Sequence, residues 1–141
     1  RVSRASADQG RGRAGRTQPG TCYRLWDEGE DASLPARDAP EILEADLAPL
    51  ALELACAGVT DARELAWLDA PPAAALAQAR ETLAMLGAVD AEGRATAHGR
   101  EMATFGAHPR LSHLMLRGHG MGHGAVACAL AALLADRDIL R

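Results

Sequence analysis

From Asp46 onward the sequence is a series of Ala- and Leu-rich segments, each stopped by glycine or proline: Gly58, Pro71-Pro72, Gly87, Gly93, Gly106, then the glycines between 118 and 124. Ala and Leu are strong helix formers, and a glycine or proline is where a helix stops. Short helices joined by tight turns are therefore the material of this fold. Aromatic residues make up 3% of the chain, so any core must be assembled from Ala, Leu, Val and Met. With 141 residues and 48% hydrophobic content, there is enough to bury for one ordinary domain or two small ones. The expected class is mainly α, with a small β component (α+β).

The longest apolar run, "GAVACALAALLA" at 124–135, is too short to cross a bilayer, and no signal peptide is evident, so no membrane partner is expected. Cys22, Cys56 and Cys128 are odd in number, far apart, and form no CxxC pair. They are expected as reduced core residues of a cytoplasmic protein. The chain starts at Arg1, and its first residues already read as the approach to a helix, so a piece of something longer is expected.

The charge is unevenly spread. The net charge is -4, all fifteen basic residues are arginine, and six of them lie in residues 1–24 beside a single acid, Asp8. The front is thus +5 and the remainder −9. A basic front end suits an anionic ligand, whereas the acidic body does not suit a general polyanion binder.

Within the basic front lies "DQGRGRAGR", Asp8 to Arg16. A P-loop is excluded, because the chain has no lysine to reach the β- and γ-phosphates. A disordered Gly/Arg tail would continue as low-complexity sequence, but this pattern stops at Arg16. Arginine fingers are the third reading. A guanidinium is a rigid, permanently charged fork that suits a γ-phosphate. On a helix Gln9, Arg13 and Arg16, spaced four and three apart, share one face. Gly12 and Gly15 would let that helix come close to a partner's backbone. Such a face offers a glutamine to position water and two arginines to neutralise phosphate charge.

Read along the chain, residues 3–15 form a helix capped by Ser3 or Ser6 and ended by Gly15. Pro19-Gly20 marks a turn, and "TCYRLW" at 21–26 alternates as a strand. The acidic stretch 27–39 reads as a solvated linker. A helix follows, capped by Asp46 with Pro49 in its first turn and Gly58 at its end; Leu47, Leu50, Leu54 and Cys56 or Ala57 line one face. A short helix capped by Asp61 ends before Pro71. Another carries the apolar stripe Leu76, Ala79, Leu83 and Leu86, stopped by Gly87. A hairpin turns near Glu92-Gly93, and "AHGREMATFG" is again helical. Three helices, a small hairpin and a helix give the outline of a winged-helix module. Its third helix is not basic, since Glu81 balances Arg80, which favours a packing role over sequence reading.

Beyond His108 come two more helices. The first carries Leu111, Leu114 and Met115 on one face; the second has an Ala/Leu face that must be covered. Between them "GHGMGHG" holds His119 and His123 four apart. That spacing binds zinc on a helix, but four glycines argue for a flexible loop, and no further ligand is near, so no metal site is assigned. His98, His108 and His113 read as surface or capping residues.

The stretch "SRASADQGRGRAGRTQPGTCYRLW" resembles motif VI, and the strand after it, of the DEAH/RHA-type superfamily 2 helicases, whose usual motif is QRxGRAGR. "APEIL", "DLAPLALELACAGV", "WLDAPP", "ALAQARETLAMLGAVD" and "GRATAHGREMATFGAHPRLSHLML" follow in the family's order, and "HPRL" and "ADRDILR" are most similar to the bacterial HrpB-type branch. The resemblance implies four parts: residues 1–26 as the end of a second RecA-like α/β domain, 27–39 as linker, 40–106 as a winged helix, and 107–141 as the start of a helical bundle of ratchet type. It implies ATP as the nucleotide, with Mg2+ held elsewhere in the parent protein. Arg13 and Arg16 would be the fingers, Gln9 the γ-phosphate or water contact, and Gly12 part of the nucleotide-binding stretch. Single-stranded RNA and the missing RecA-like domains are the implied partners. Gly10 stands where the motif has arginine, which removes a charge and costs roughly 1 kcal/mol of helix propensity relative to alanine. Walker A, the DExH box and motif V are absent from the chain, so it is expected to be inactive alone. The competing expectations are a stand-alone nucleic-acid-binding winged helix with a basic N-terminal arm, and a structural or interaction remnant that self-associates through its last two helices.

Overall fold

The computed structural model describes residues 2–135, which separate into two compact units meeting between Glu44 and Ala45. The terminal "DRDILR" lies outside the described residues.

The first unit is built on α1 (Arg4–Ala14). Every free N–H of its first turn is accounted for. Arg4 and Ala5 donate to the carbonyls of Pro35 and Ala36 at 2.9 and 3.2 Å, and Ser6 donates to the Ser3 hydroxyl at 3.1 Å. Ser3 is the N-cap and is fully buried, and Gly15 is the C-cap, as the sequence suggested. Arg11 and Arg13 in the last turn suit the negative end of the helix dipole. No side chain of α1 is buried. The chain then doubles back at Gly20, where a Cβ would lie 1.9 Å from the Ala14 carbonyl oxygen, so only glycine fits. The stretch expected as linker holds α2 (Glu28–Ser33), capped by Asp27, which accepts from Glu30 N at 2.7 Å. A one-turn 3₁₀ helix, Glu41–Leu43, ends the unit.

The strand expected at 21–26 is not formed. The segment is irregular, and Tyr23 and Leu25 are 84% and 94% exposed. A strand exists only against a neighbour, and among the described residues the sole β pairing is an isolated bridge between Val89 and Ala95. The described chain is therefore helical rather than α+β.

The second unit follows the expected order of elements except at one place: the short helix expected from Asp61 to Pro71 is only a single 3₁₀ turn, and residues 65–72 are irregular. It contains α3 (Ala48–Cys56), a 3₁₀ turn at Ala62–Glu64, α4 (Ala73–Met85), α5 (Ala97–Ala103), α6 (Pro109–Gly120) and α7 (Gly124–Ala135). Asp46 accepts from Ala48 N at 2.8 Å, and Asp61 accepts from Arg63 N at 3.0 Å. The Asp61 carboxyl is also chelated by the Arg63 guanidinium, which with that backbone N–H pulls it down to about 2. Gly58 and Gly87, at φ 80° and 67°, close α3 and α4 in the left-handed region, where a side chain would be strained. Between Ala88 and Thr96 the backbone forms a minimal hairpin, Thr96 N donating to Ala88 O at 3.0 Å.

The core centres on Leu83 and Met102, both fully buried, with Leu47, Leu52, Leu54 and Leu76 around them. Truncating such a residue to alanine typically costs about 2–5 kcal/mol. Two expected core positions are displaced: Leu50 and Leu86 are half-buried, and the inward face of α3 runs through Ala51, Leu52, Leu54 and Ala55. On α6, Pro109 and Ser112 are buried, whereas Leu111, Leu114 and Met115 are half-buried. The cysteines are not core residues: Cys22 and Cys128 are exposed and Cys56 is half-buried, all three free. Among the described residues no helix is long and apolar enough to cross a membrane.

The largest departure is "GHGMGHG". It is a helical hairpin rather than a flexible loop: α6 runs through Gly118 and Gly120, and α7 starts at Gly124. Packing explains why glycine is tolerated inside α6. A Cβ on Gly118 would lie 2.3 Å from the Ala127 Cβ, so the two helices meet there with no room for a methyl group. A Cβ on Gly120 meets nothing within 4 Å. Gly118→Ala should therefore lower the unfolding free energy by about 1 kcal/mol or more, overpacking outweighing a propensity gain of about 1 kcal/mol. Gly120→Ala, with the same gain and no clash, should leave stability unchanged or raised, and thermal or urea unfolding of the two variants decides whether the order holds.

Candidate functional site

The arginine-rich stretch of 8–16 is presented by α1 and the turn after it. Gln9 and Arg13, four residues apart on α1, share a face as expected. Arg16 lies beyond the Gly15 cap, so it approaches any common ligand from the turn rather than from the helix face. All four candidate residues, Gln9, Gly12, Arg13 and Arg16, are exposed. Neither Arg13 nor Arg16 has a carboxylate partner among the described residues, whereas Arg11 pairs with Asp8 at 3.6 Å. A Cβ at Gly10, Gly12 or Gly15 meets nothing within 4 Å. Among the described residues, nothing occupies the space that Gly12 and Gly15 leave open, and position 10 has room for the arginine that the helicase motif carries there.

Exposed arginines with no carboxylate partner keep their full capacity to donate to phosphate oxygens. The opposite side of α1 is different. Arg24, arriving from the irregular segment, donates from one terminal nitrogen to Asp8 Oδ1 at 2.7 Å and from the other to Asp31 Oδ1 at 2.6 Å. The Trp26 indole N–H donates to the same Asp31 oxygen at 2.9 Å. That indole bond, and then the guanidinium, hold the Asp31 carboxyl below the usual carboxylate range. Sequence reading missed Arg24, because its partners lie in two other elements and no local spacing links them.

Three of the histidines tie helices together. His108 caps α6, accepting from Arg110 N at Nδ1, 3.2 Å, while its Nε2 meets Asp46 Oδ2 at 3.1 Å and ties the start of α6 to the start of α3. The Asp46 carboxyl is lowered first by the Ala48 N–H and then by this imidazole. His98 Nε2 and His113 Nδ1 lie 2.9 Å apart and join α5 to α6. His119 and His123 acquire no third ligand: among the described residues no group of three His, Cys, Asp or Glu side chains is placed to hold a metal ion.

No protein-family model matches the chain. It is similar to the ATP-dependent RNA helicase HrpB of Escherichia coli (strain K12), at 39% identity over 136 residues, covering 96% of this chain and 17% of that protein. It is 34% identical over 139 residues to the probable ATP-dependent RNA helicase DHX35 of Homo sapiens, covering 98% of this chain and 20% of the relative. To the pre-mRNA-splicing factor ATP-dependent RNA helicase prp22 of Schizosaccharomyces pombe it is 37% identical over 140 residues, covering 98% and 12% respectively. The crystal structure of the Escherichia coli DEAH/RHA helicase HrpB superposes with a TM-score of 0.80 at 38% identity, over 99% of this chain and 18% of that one. The chain thus spans a fifth or less of the length of these relatives.

The histidine pair carries a pH prediction. When both rings are neutral, one nitrogen donates and the other accepts along the 2.9 Å contact; a protonated His113 can no longer accept at Nδ1. Burial first, then the charges of His98 and Arg117, depress the His113 pKa against its ordinary 6.5, with a Leu86 backbone hydrogen bond working the other way. A histidine depressed in the folded state binds more protons when unfolded, so its stabilisation is complete above about 6.5 and is lost as pH falls through that value. The melting temperature should drop between pH 7.5 and 5.5, and His113→Gln should flatten the profile; an equal slope in the variant would contradict this origin.

Proposed function

We propose that this chain, homologous almost end to end with a segment of the DEAH/RHA-type ATP-dependent RNA helicases, is part of a longer ATP-dependent RNA helicase. In this reading it supplies the motif VI arginines and the winged helix behind them. The near-complete coverage of the chain by relatives named as such helicases carries the reading. The exposed, carboxylate-free Arg13 and Arg16 support it. Residues 1–26 are then the end of the second RecA-like domain, 27–39 a linker, 40–106 the winged helix and 107–141 the beginning of the helical bundle. The order α3, 3₁₀ turn, α4, hairpin and α5 supports the winged-helix assignment. The bare segment 21–26 then finds its strand neighbours in the rest of the RecA-like domain.

The chemistry follows from what free guanidinium groups do best. In phosphoryl transfer, negative charge spreads over the oxygens of the γ-phosphoryl group, and catalysis is almost entirely positioning and electrostatic stabilisation. Arg13 from the helix and Arg16 from the turn would both reach that group, and Gln9 would contact the γ-phosphate or the attacking water. ATP binds between two RecA-like domains, of which this chain holds only the edge of one. Mg2+ would supply charge neutralisation on the phosphate oxygens in such a reaction, held by residues of the complete protein. The chain has no lysine to serve a P-loop, so in this reading hydrolysis requires the rest of the protein. In the complete protein, hydrolysis opens and closes the cleft and steps the enzyme along single-stranded RNA.

The test is RNA-stimulated ATP hydrolysis by the complete protein. Arg13→Ala should lower the rate at least ~100-fold, a floor set below the roughly 10³–10⁵-fold range of arginine-finger effects. An unchanged rate would refute the assignment. Gly10→Arg, which meets no neighbour within 4 Å of its Cβ, should fold normally and hydrolyse ATP at least as fast as the parent.

A further inference from the structure

We propose that Arg24 is a positioning residue for the arginines of α1, acting as a clamp that fixes the rotation of that helix. The inference rests on the reading of Arg13 above and extends it to a residue that never touches the phosphate.

The need for a clamp comes from α1 itself. A helix is usually held in rotation by an apolar stripe sunk into a core. α1 has no such stripe, since none of its eleven residues is buried. Its orientation depends on polar ties. At its N-terminal end these are the Pro35 and Ala36 carbonyls, the Ser3 cap, and the Ser6 hydroxyl bond to Asp38. These fix where the helix starts. They act within its first turn, a full turn or more from Arg13.

Arg24 supplies the tie further along. Its two terminal nitrogens bind two carboxylates on two helices, Asp8 of α1 and Asp31 of α2. The Arg24 side chain is only 26% exposed, and its guanidinium carbon lies 5.9 Å from the Trp26 ring centroid. Trp26 also donates to Asp31, so the far end of the clamp is held twice. Planar fork geometry makes this a directional link, which a flexible ammonium would not reproduce.

Helix geometry converts that link into presentation. At about 100° per residue, Gln9 stands about 100° and Arg13 about 140° around α1 from Asp8. Holding Asp8 toward α2 turns the Gln9–Arg13 edge away from it. The division of charge agrees: Arg24 takes both carboxylates, and Arg13 and Arg16 keep none. Asp8 also engages Arg11 at 3.6 Å and so draws a neighbouring arginine to its own side.

The experiment is a double-mutant cycle in the complete protein, with RNA-stimulated ATP hydrolysis as readout. Arg24→Ala should lower kcat about 10-fold or more, with KM for ATP changed less than about threefold, because misplacing a group that acts in the transition state is expensive. In an Arg13→Ala background the same substitution should cost less than about twofold, since the residue it positions is gone. A general loss of folded protein would instead lower both backgrounds by the same factor. Asp8→Asn, which leaves the Arg24–Asp31–Trp26 cluster in place, should show the same non-additivity, and it serves if Arg24→Ala does not fold. Equal losses in the two backgrounds, or a kcat within twofold of the parent for both variants, would overturn the clamp. Full activity of Arg13→Ala alone would instead overturn the underlying reading, and the two failures are distinct.

Discussion

Close approach between backbones is the constraint on which this structure depends. With so few aromatic side chains, there is little bulk to fill the space between elements, and dense packing requires the elements to move together. They do so at glycine. Gly99 of α5 sits where a Cβ would be 2.0 Å from the Ala88 carbonyl, Gly118 of α6 presses on Ala127 of α7, and Gly20 folds over the Ala14 carbonyl at the end of α1. Each contact fixes one corner: the hairpin against α5, the crossing of α6 and α7, and the return of the chain beside α1. Alanine in place of any of the three would push backbone or a neighbouring methyl away, which small cores absorb poorly.

The two units use this constraint differently. From Ala45 onward, close approach lets an Ala/Leu core close around Leu83 and Met102, and polar pairs such as His108–Asp46 pin helix starts to one another. Before Glu44 there is almost no core: Leu34 and Ser3 are the buried residues among those described, and order comes from caps, carbonyls and the Arg24 cluster. A helix held by polar ties alone can be both well oriented and fully exposed. That combination is what a surface helix needs if its arginines are to reach a ligand bound in a neighbouring domain.

Much of this was legible in the sequence, for local reasons. Caps and stops are short-range chemistry, so Ser3, Gly58 and Gly87 were readable and stand where expected. Asp46 accepts from Ala48 N one residue ahead of the N-cap, and Asp61 caps a 3₁₀ turn in place of a helix. The resemblance to DEAH/RHA helicases was readable from an ordered set of motifs. What sequence could not supply was long-range. The alternating "TCYRLW" carries strand propensity but no neighbour within the described residues, and propensity without pairing yields irregular chain. Gly118 reads as a helix breaker until Ala127 is known to lie against it. Arg24 looks like one more basic residue until Asp8 and Asp31, sixteen and seven positions away, are brought to its two nitrogens. The face shared by Gln9 and Arg13 followed from helical spacing, while Arg16 fell outside it because Gly15 ends the helix a residue too early.

The central claim is that the exposed arginines of α1 and its following turn are there for a γ-phosphate. The most direct measurement is a structure of the complete protein with ADP and aluminium fluoride, which mimics the transferring phosphoryl group. The account predicts guanidinium nitrogens of Arg13 and Arg16 within about 2.7–3.2 Å of the fluoride ligands, the ordinary hydrogen-bonding range. Both side chains turned to solvent, or paired with carboxylates while the nucleotide site is filled, would contradict it.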